Sequence, residues 1–268
     1  MNWSGERRVV GNLLRGVVFA FAFLGVAGPR ADLLARAQAI PAHKIASLPV
    51  GLTLPVQIGH KLQAGRVPVG TTVVAKTTQR IPLSEHTYLD KGAVLRGEVL
   101  ASAVGDGAAR PATLTLRFTS LQAGKEAVPL RVRAVAIANF TNVSDAAAPT
   151  LGSVSRGNSG PANWTTMQVG GDLVFRELWV GGVYDSGMRL VGRADYHGVY
   201  SLPKPLDSGG PALPRALGVF SAGAAGLYGF GDACRLQSNG GTIILTCLGK
   251  RAVLRDGDDL LLEVIPAT

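Results

Sequence analysis

Thr113-Leu114-Thr115-Leu116-Arg117-Phe118-Thr119 alternates polar and apolar residues without a break. Successive side chains of a β-strand point to opposite faces, so this run reads as a strand with Leu114, Leu116 and Phe118 buried and its Thr and Arg face in solvent. The same period recurs upstream, where Leu52, Leu54, Val56 and Ile58 alternate with Thr53, Pro55 and Gln57. Pro55 has no N–H to give to a ladder, which predicts that its strand lies at a sheet edge or bulges there. Residues 71–78, 93–100 and 128–137 supply three further strands, set apart by the turn signals Asp90-Lys91-Gly92, Gly105-Asp106-Gly107 and Ala123-Gly124-Lys125. Near the other end, residues 260–265 form a last strand that echoes residues 51–58. Strands at the two ends of a β domain leave open edges unless they are paired. Mutual pairing predicts a closed barrel, and a free edge beside Pro55 predicts a place for a partner strand to add.

Composition points the same way. The 268 residues include 35 Gly, only 6% are aromatic and 17% are charged, which favours short strands and tight turns over helices. The expected fold class is all-β, a barrel or sandwich of short antiparallel strands with a Gly-rich middle excursion. Residues 1–39 read as a signal peptide leading into a small-residue tether, in which residues 31–39 form a short helix. Residues 49–138 form an N-terminal β block. Residues 139–212 are a loop-rich middle segment, in which 139–163 lack any apolar period and 164–203 carry short strands broken at glycines. Residues 213–268 form a C-terminal β block that completes the same domain.

The reading of the N-terminus rests on a basic start (Arg7, Arg8, Arg15), an apolar run over 17–27 and the small residues ending in Ala37-Gln38-Ala39. That is the pattern of a secretory signal. The apolar run falls short of the roughly 20 residues a membrane-spanning helix needs, and cleavage after Ala39 or after Gly25-Val26-Ala27 both remain open. The expected location is the periplasm or the cell exterior, with a mature chain that does not span the membrane. The formal charge is +9, and residues 1–39 hold five Arg and two acids, leaving 22 Lys and Arg against 16 Asp and Glu. These cations are dispersed, tightest at Arg131/Arg133 and Lys250-Arg251, with no basic stripe carrying aromatic platforms. Nucleic-acid binding is therefore not expected.

Cys234 and Cys247 are the only cysteines, and export places them in an oxidising compartment. The segment between them reads as a hairpin. A Gly240-Gly241 turn sets Asn239 against Thr242, and counting outward opposes Cys234 to Cys247 at a non-hydrogen-bonded site, where side chains are closely spaced. An Asn239-Gly240 turn opposes Cys234 to Leu245 instead. A Cys234–Cys247 disulfide thus requires the Gly-Gly register. Two cysteines without His or carboxylate neighbours fall short of a metal's four ligands. His43, His60, His86 and His197 show no ligand spacing. Asp256, Asp258 and Asp259 around Gly257 lack the longer alternation of a calcium loop and read as a charged turn. Gly223, Gly226, Gly229 and Gly231 match a phosphate loop only in glycine density.

Asp207-Ser208-Gly209-Gly210-Pro211 matches the surroundings of the nucleophile in chymotrypsin-like proteases, and Leu217 to Gly223 resembles the strand that follows it there. Leu206 stands where those enzymes carry Gly, and no His lies in the Ala-Ala-His-Cys setting that supplies the base of such a triad. The segment is equally an ordinary linker. Trp164, Trp179, Tyr184, Tyr196 and Tyr200 cluster in the middle segment, either as core or as the lining of a sugar- or peptide-binding surface.

Leu48-Pro-Val-Gly-Leu-Thr-Leu-Pro-Val-Gln-Ile, Val69-Gly-Thr-Thr-Val-Val-Ala-Lys-Thr, Leu89-Asp-Lys-Gly-Ala-Val-Leu-Arg-Gly-Glu-Val and Leu114-Thr-Leu-Arg-Phe-Thr-Ser-Leu follow one another in order. Over roughly residues 48–138 this order resembles exported bacterial β-domains of the form P-x-G-T…V-G-D…A…P-K-G-A-x-x-x-G-x-V…L-x-L-x-F…L. It is distantly similar to the β-barrel domain of TrbI-type components of conjugation and type IV secretion channels. The resemblance implies a barrel that mediates assembly and carries no catalytic residues. The resulting expectation is a non-catalytic envelope protein with a binding or assembly role, without cofactor or metal, whose partner is another envelope protein or a cell-wall polymer. The alternative is a trypsin-like serine hydrolase using Ser208.

Overall fold

A computed structural model describes residues 47–107, 109–123, 126–149, 163–207, 209, 211–249 and 251–267. The signal segment, the tether, His43, the 124–125 turn and Ser208 lie outside the described residues. In chain order the elements are β1 (Thr53–Ile58), β2 (Leu62–Gln63), β3 (Thr72–Thr77), β4 (Ile81–Pro82), β5 (Tyr88–Leu89), β6 (Val94–Ala103), β7 (Ala112–Ala123), β8 (Glu126–Pro129), β9 (Val132–Ala138) and α1 (Phe140–Ala147). Then come β10 (Asn163–Met167), β11 (Leu173–Glu177), β12 (Val180–Tyr184), β13 (Leu190–Asp195), β14 (Gly198–Ser201), β15 (Gly226–Tyr228), β16 (Cys234–Asn239), β17 (Thr242–Cys247), β18 (Val253–Leu254) and β19 (Asp259–Val264).

The fold is all-β around a ten-stranded, nearly closed sheet in the order β15-β9-β19-β1-β3-β6-β7-β17-β16, with β8 paired to β7. Alternation decides which side chains fill it. Leu114, Leu116 and Phe118 of β7 are buried in the main core with Leu54, Val56 and Ile58 of β1 and Leu260 and Leu262 of β19. Arg117 faces outward and pairs with its cross-strand neighbour Glu98 at 2.7 Å. Two short ribbons, β2–β18 and β4–β5, add Leu62, Leu254, Ile81 and Leu89 to the same core.

The two end strands pair with each other, Thr53 opposite Glu263 through Gln57 opposite Asp259. β1 also pairs with β3, so it is central, which corrects the edge placement expected from Pro55. The even-numbered residues of β1 serve β19, as in the Ile58 N–H bond to Asp258 O, while Pro55 turns its backbone toward β3. The β3 pairing starts only at Val56, and the Pro55 carbonyl accepts from Thr78 N–H beyond the end of β3. The missing donor therefore falls where the ladder has run out. No free edge for strand addition is left beside Pro55.

The remaining seam lies between β9 and β16. There, Ala134 N–H donates to Ser238 Oγ at 3.0 Å, and the Arg131 guanidinium donates to Gly240 O from Nε at 3.2 Å and from Nη2 at 3.0 Å. Side chains bridge what backbone pairing leaves open. Farther along β9, β15 pairs with it in parallel.

Residues 163–201 make a separate five-stranded antiparallel meander in the order β10-β11-β12-β13-β14. The outer face of β9 and β19 is covered by a second cluster that joins Ala136, Ala138 and Leu261 to Ala146 of α1, Val169 and Phe220. This cover is why Leu261 is buried although it points away from the main core. Within the stretch read as a loop, residues 140–147 are helical. Asn139 caps α1 by accepting the Asn142 N–H at 3.0 Å. Among the described residues no helix is long and apolar enough to cross a membrane.

Candidate functional site

Sheet parity gives the meander two unlike faces. Val174, Val183 and Ala194 point inward and pack with Val199 and Leu217. On the same face, nearer the strand ends, Trp164 of β10 stands opposite Arg176 of β11, which stands opposite Gly181 of β12. A groove of about 590 Å³ opens there between the meander and the barrel, within the usual size range for ligand pockets. Trp164, Arg176, Trp179 and Tyr196 line one wall, and Gln79, Lys91 and the end of α1 line the other.

The aromatic side chains form one contiguous surface. The Trp164 and Trp179 rings meet edge-to-face with centroids 5.2 Å apart, and Tyr196 follows 6.2 Å from Trp179. The Arg176 guanidinium lies 5.8 Å from the Trp164 ring centre, and burial lowers its pKa. Trp179 is 51% and Tyr196 69% exposed, whereas Tyr200 is buried and its hydroxyl donates to Arg80 O at 2.9 Å. The sequence cluster thus divides into core (Tyr200) and surface (Trp179, Tyr196). Tyr184 pairs instead with Phe175 on the opposite face of the meander.

Two local costs lie beside the groove. Leu178, in the β11–β12 turn that presents Trp179, has φ 59°, a left-handed conformation costing a branched residue roughly 1–2 kcal/mol. The two-residue β11–β12 turn requires a positive φ at this first position. On the groove floor Gln168 is 4% exposed. Its Nε2 donates to Phe220 O at 2.8 Å and Gly218 O at 3.3 Å, while its buried Oε1 has no partner among the described residues. A buried acceptor left unsatisfied costs about 1–3 kcal/mol.

The other candidate residues separate clearly. Cys234 and Cys247 are directly paired and disulfide-bonded, Cα atoms 4.0 Å apart, with Leu236 opposite Leu245 and Asn239 opposite Thr242. Gly240 and Gly241 take φ 58° and 89°, as a two-residue hairpin turn of the primed type requires. Residues 217–223 make a turn in which Phe220 bridges to Val169, not a strand following Ser208. His197 sits in the β13–β14 turn, its Nε2 3.5 Å from Arg80 Nη1. Among the described residues no group of His, Cys, Asp and Glu is arranged to hold a metal. Asp258 belongs to no cation loop: its oxygens accept from Phe140 N–H at 2.9 Å and Arg255 N–H at 2.7 Å.

Gln168 and Arg176 were not singled out by sequence reasoning. Arg176 carries a weak signal, since it lies in a strand that brings it beside Trp164. Gln168 carries none, because its burial follows from the turn over 217–221 folding onto β10. No known protein family, curated protein or solved structure matches this chain.

Proposed function

We propose that the chain is an exported envelope protein with a non-catalytic binding role, and that the groove beside the meander holds a cell-wall glycan. The observation that carries this reading is the contiguous Trp164–Trp179–Tyr196 surface, in which Trp179 and Tyr196 are exposed and Trp164 is half-buried. Sugar rings present flat C–H faces that pack on aromatic side chains. Arg176, Lys91 and Asp195 at the rim add polar contacts that fix orientation. Export is supported by the N-terminal pattern and by the disulfide, a bond that persists in oxidising compartments. The resemblance of residues 48–138 to assembly barrels supports the barrel as a platform that displays the groove.

Calorimetric titration with a soluble β-linked N-acetylhexosamine oligosaccharide tests the reading. Binding is expected, and Trp179→Ala is expected to weaken it at least tenfold with an unchanged thermal midpoint, since Trp179 is half exposed. Absence of glycan binding together with saturable binding of a single-stranded oligonucleotide would replace the reading with stacking on bases.

A further inference from the structure

A second cavity, of about 330 Å³, lies at the base of the disulfide hairpin, on other elements than the glycan groove. Three cations from separate parts of the chain converge on it: Lys61 from the turn between β1 and β2, Arg251 from the segment before β18, and Arg255 from the turn between β18 and β19. None of the three forms an ion pair among the described residues. The one carboxylate in the wall, Asp258, has both oxygens engaged by backbone N–H groups, so it is held by the fold and not by the cations. All three cations are exposed, and the Asp258 carboxylate offsets part of the charge of Arg255; the remaining like charges repel one another, a solvent-screened cost that an arriving anion removes.

The wall also holds a polar group without a task. Gln63 is 7% exposed and lines this cavity, yet none of the hydrogen bonds among the described residues engages its side-chain amide. That amide offers two N–H donors. The Asn139 side chain is spent on Gly229 O and on Asn142. Phe230, Val253, two glycines and the Cys234–Cys247 disulfide complete the lining, and hydrogen bonds to a charged acceptor are the stronger kind.

We propose that this cavity is a phosphate-binding site, in which Lys61, Arg251 and Arg255 neutralise a phosphate group and the Gln63 amide donates to one of its oxygens. The group is either a free phosphate or the headgroup phosphate of an anionic lipid, and the same contacts serve both.

Calorimetric titration of the whole protein with inorganic phosphate, and co-sedimentation with phosphatidylglycerol vesicles against phosphatidylcholine vesicles, test the site and separate the two sources. Saturable binding in either arm is expected, lost at least tenfold in Arg251→Ala/Arg255→Ala and retained in Arg117→Ala on the outer barrel face. Gln63→Glu keeps the side chain's shape while placing a carboxylate against the ligand, and it is expected to abolish binding in a protein with a normal circular-dichroism spectrum. Binding in neither arm, or binding unchanged by the double variant or by Gln63→Glu, overturns the proposal. Glycan binding is measured on the same samples, so loss of one site is read independently of the other.

Discussion

Asp259 is 1% exposed on β19, where Gln57 Nε2 donates to its Oδ1 at 3.1 Å. Burial pushes its carboxyl up from 3.8 to about 7, against the lowering effect of the Gln57 bond and with a further push from Asp258. The folded state therefore keeps this proton through a pH range in which the unfolded chain has already lost it. The contribution of Asp259 to stability is expected to be fully present below about pH 4, to fall as pH rises toward 7 and to level off above, with a total change of a few kcal/mol. Asp259→Asn preserves the acceptor for Gln57 and removes the charge. Denaturant unfolding at pH 5 and pH 8 is expected to give nearly equal stabilities in the variant and a clear loss at pH 8 in the native sequence. None of this was legible in the sequence, where Asp258 and Asp259 read as a charged turn. Their burial comes from α1 and the 216–224 segment lying over β19, and no local pattern encodes that cover.

At the scale of elements, the hairpin β16–β17 was the most legible part of the chain. Glycine at both turn positions, equal arm lengths and two cysteines at the same distance from the turn fix one register, because a slip of one residue would separate the sulfurs. α1 was the least legible: eight residues following Asn139 give too few turns for an apolar period to emerge. The disulfide joins an outer strand of the sheet, β16, to β17, and β16 otherwise touches β9 through the Ser238 bridge. Reduction, or Cys234→Ser/Cys247→Ser, is expected to cost about 3 kcal/mol in the loop-entropy account. Hydrogen exchange localises the effect: amides of residues 234–239 are expected to accelerate while those of β6 and β7 stay slow.

For the whole molecule, the alternation of the individual strands disclosed an all-β domain and left barrel or sandwich, and paired or free end strands, as alternatives, but the sequence was silent on how the meander is fastened to the barrel. Much of that fastening passes through one side chain. Gln79, just after β3 and almost fully buried, donates from Nε2 to Val199 O at 3.0 Å. Its Oε1 accepts from Val199 N–H at 3.1 Å and from Gly218 N–H at 2.8 Å. The amide thus stands in for a backbone partner on the outer side of β14. Gly198 is required beside it, because a Cβ there would lie 2.5 Å from the Gln79 amide. Gln79→Ala leaves two backbone N–H groups, those of Val199 and Gly218, unpaired, each worth about 1–3 kcal/mol if water does not reach it, whereas Val199 O keeps the Leu217 N–H at 2.9 Å. A net loss of about 3 kcal/mol or more is expected, measured as a lower denaturation midpoint. The loss is expected to be uneven, with faster hydrogen exchange in β13 and β14 and little change in β6 and β7, because the barrel keeps its own core. Gln79 also lines the wall facing Trp164 and Trp179, so loosening the meander widens the groove proposed to hold a glycan. The same variant is therefore expected to weaken oligosaccharide binding, whereas phosphate binding, on residues carried by the barrel strands, their connecting turns and the β2–β18 ribbon, stays unchanged.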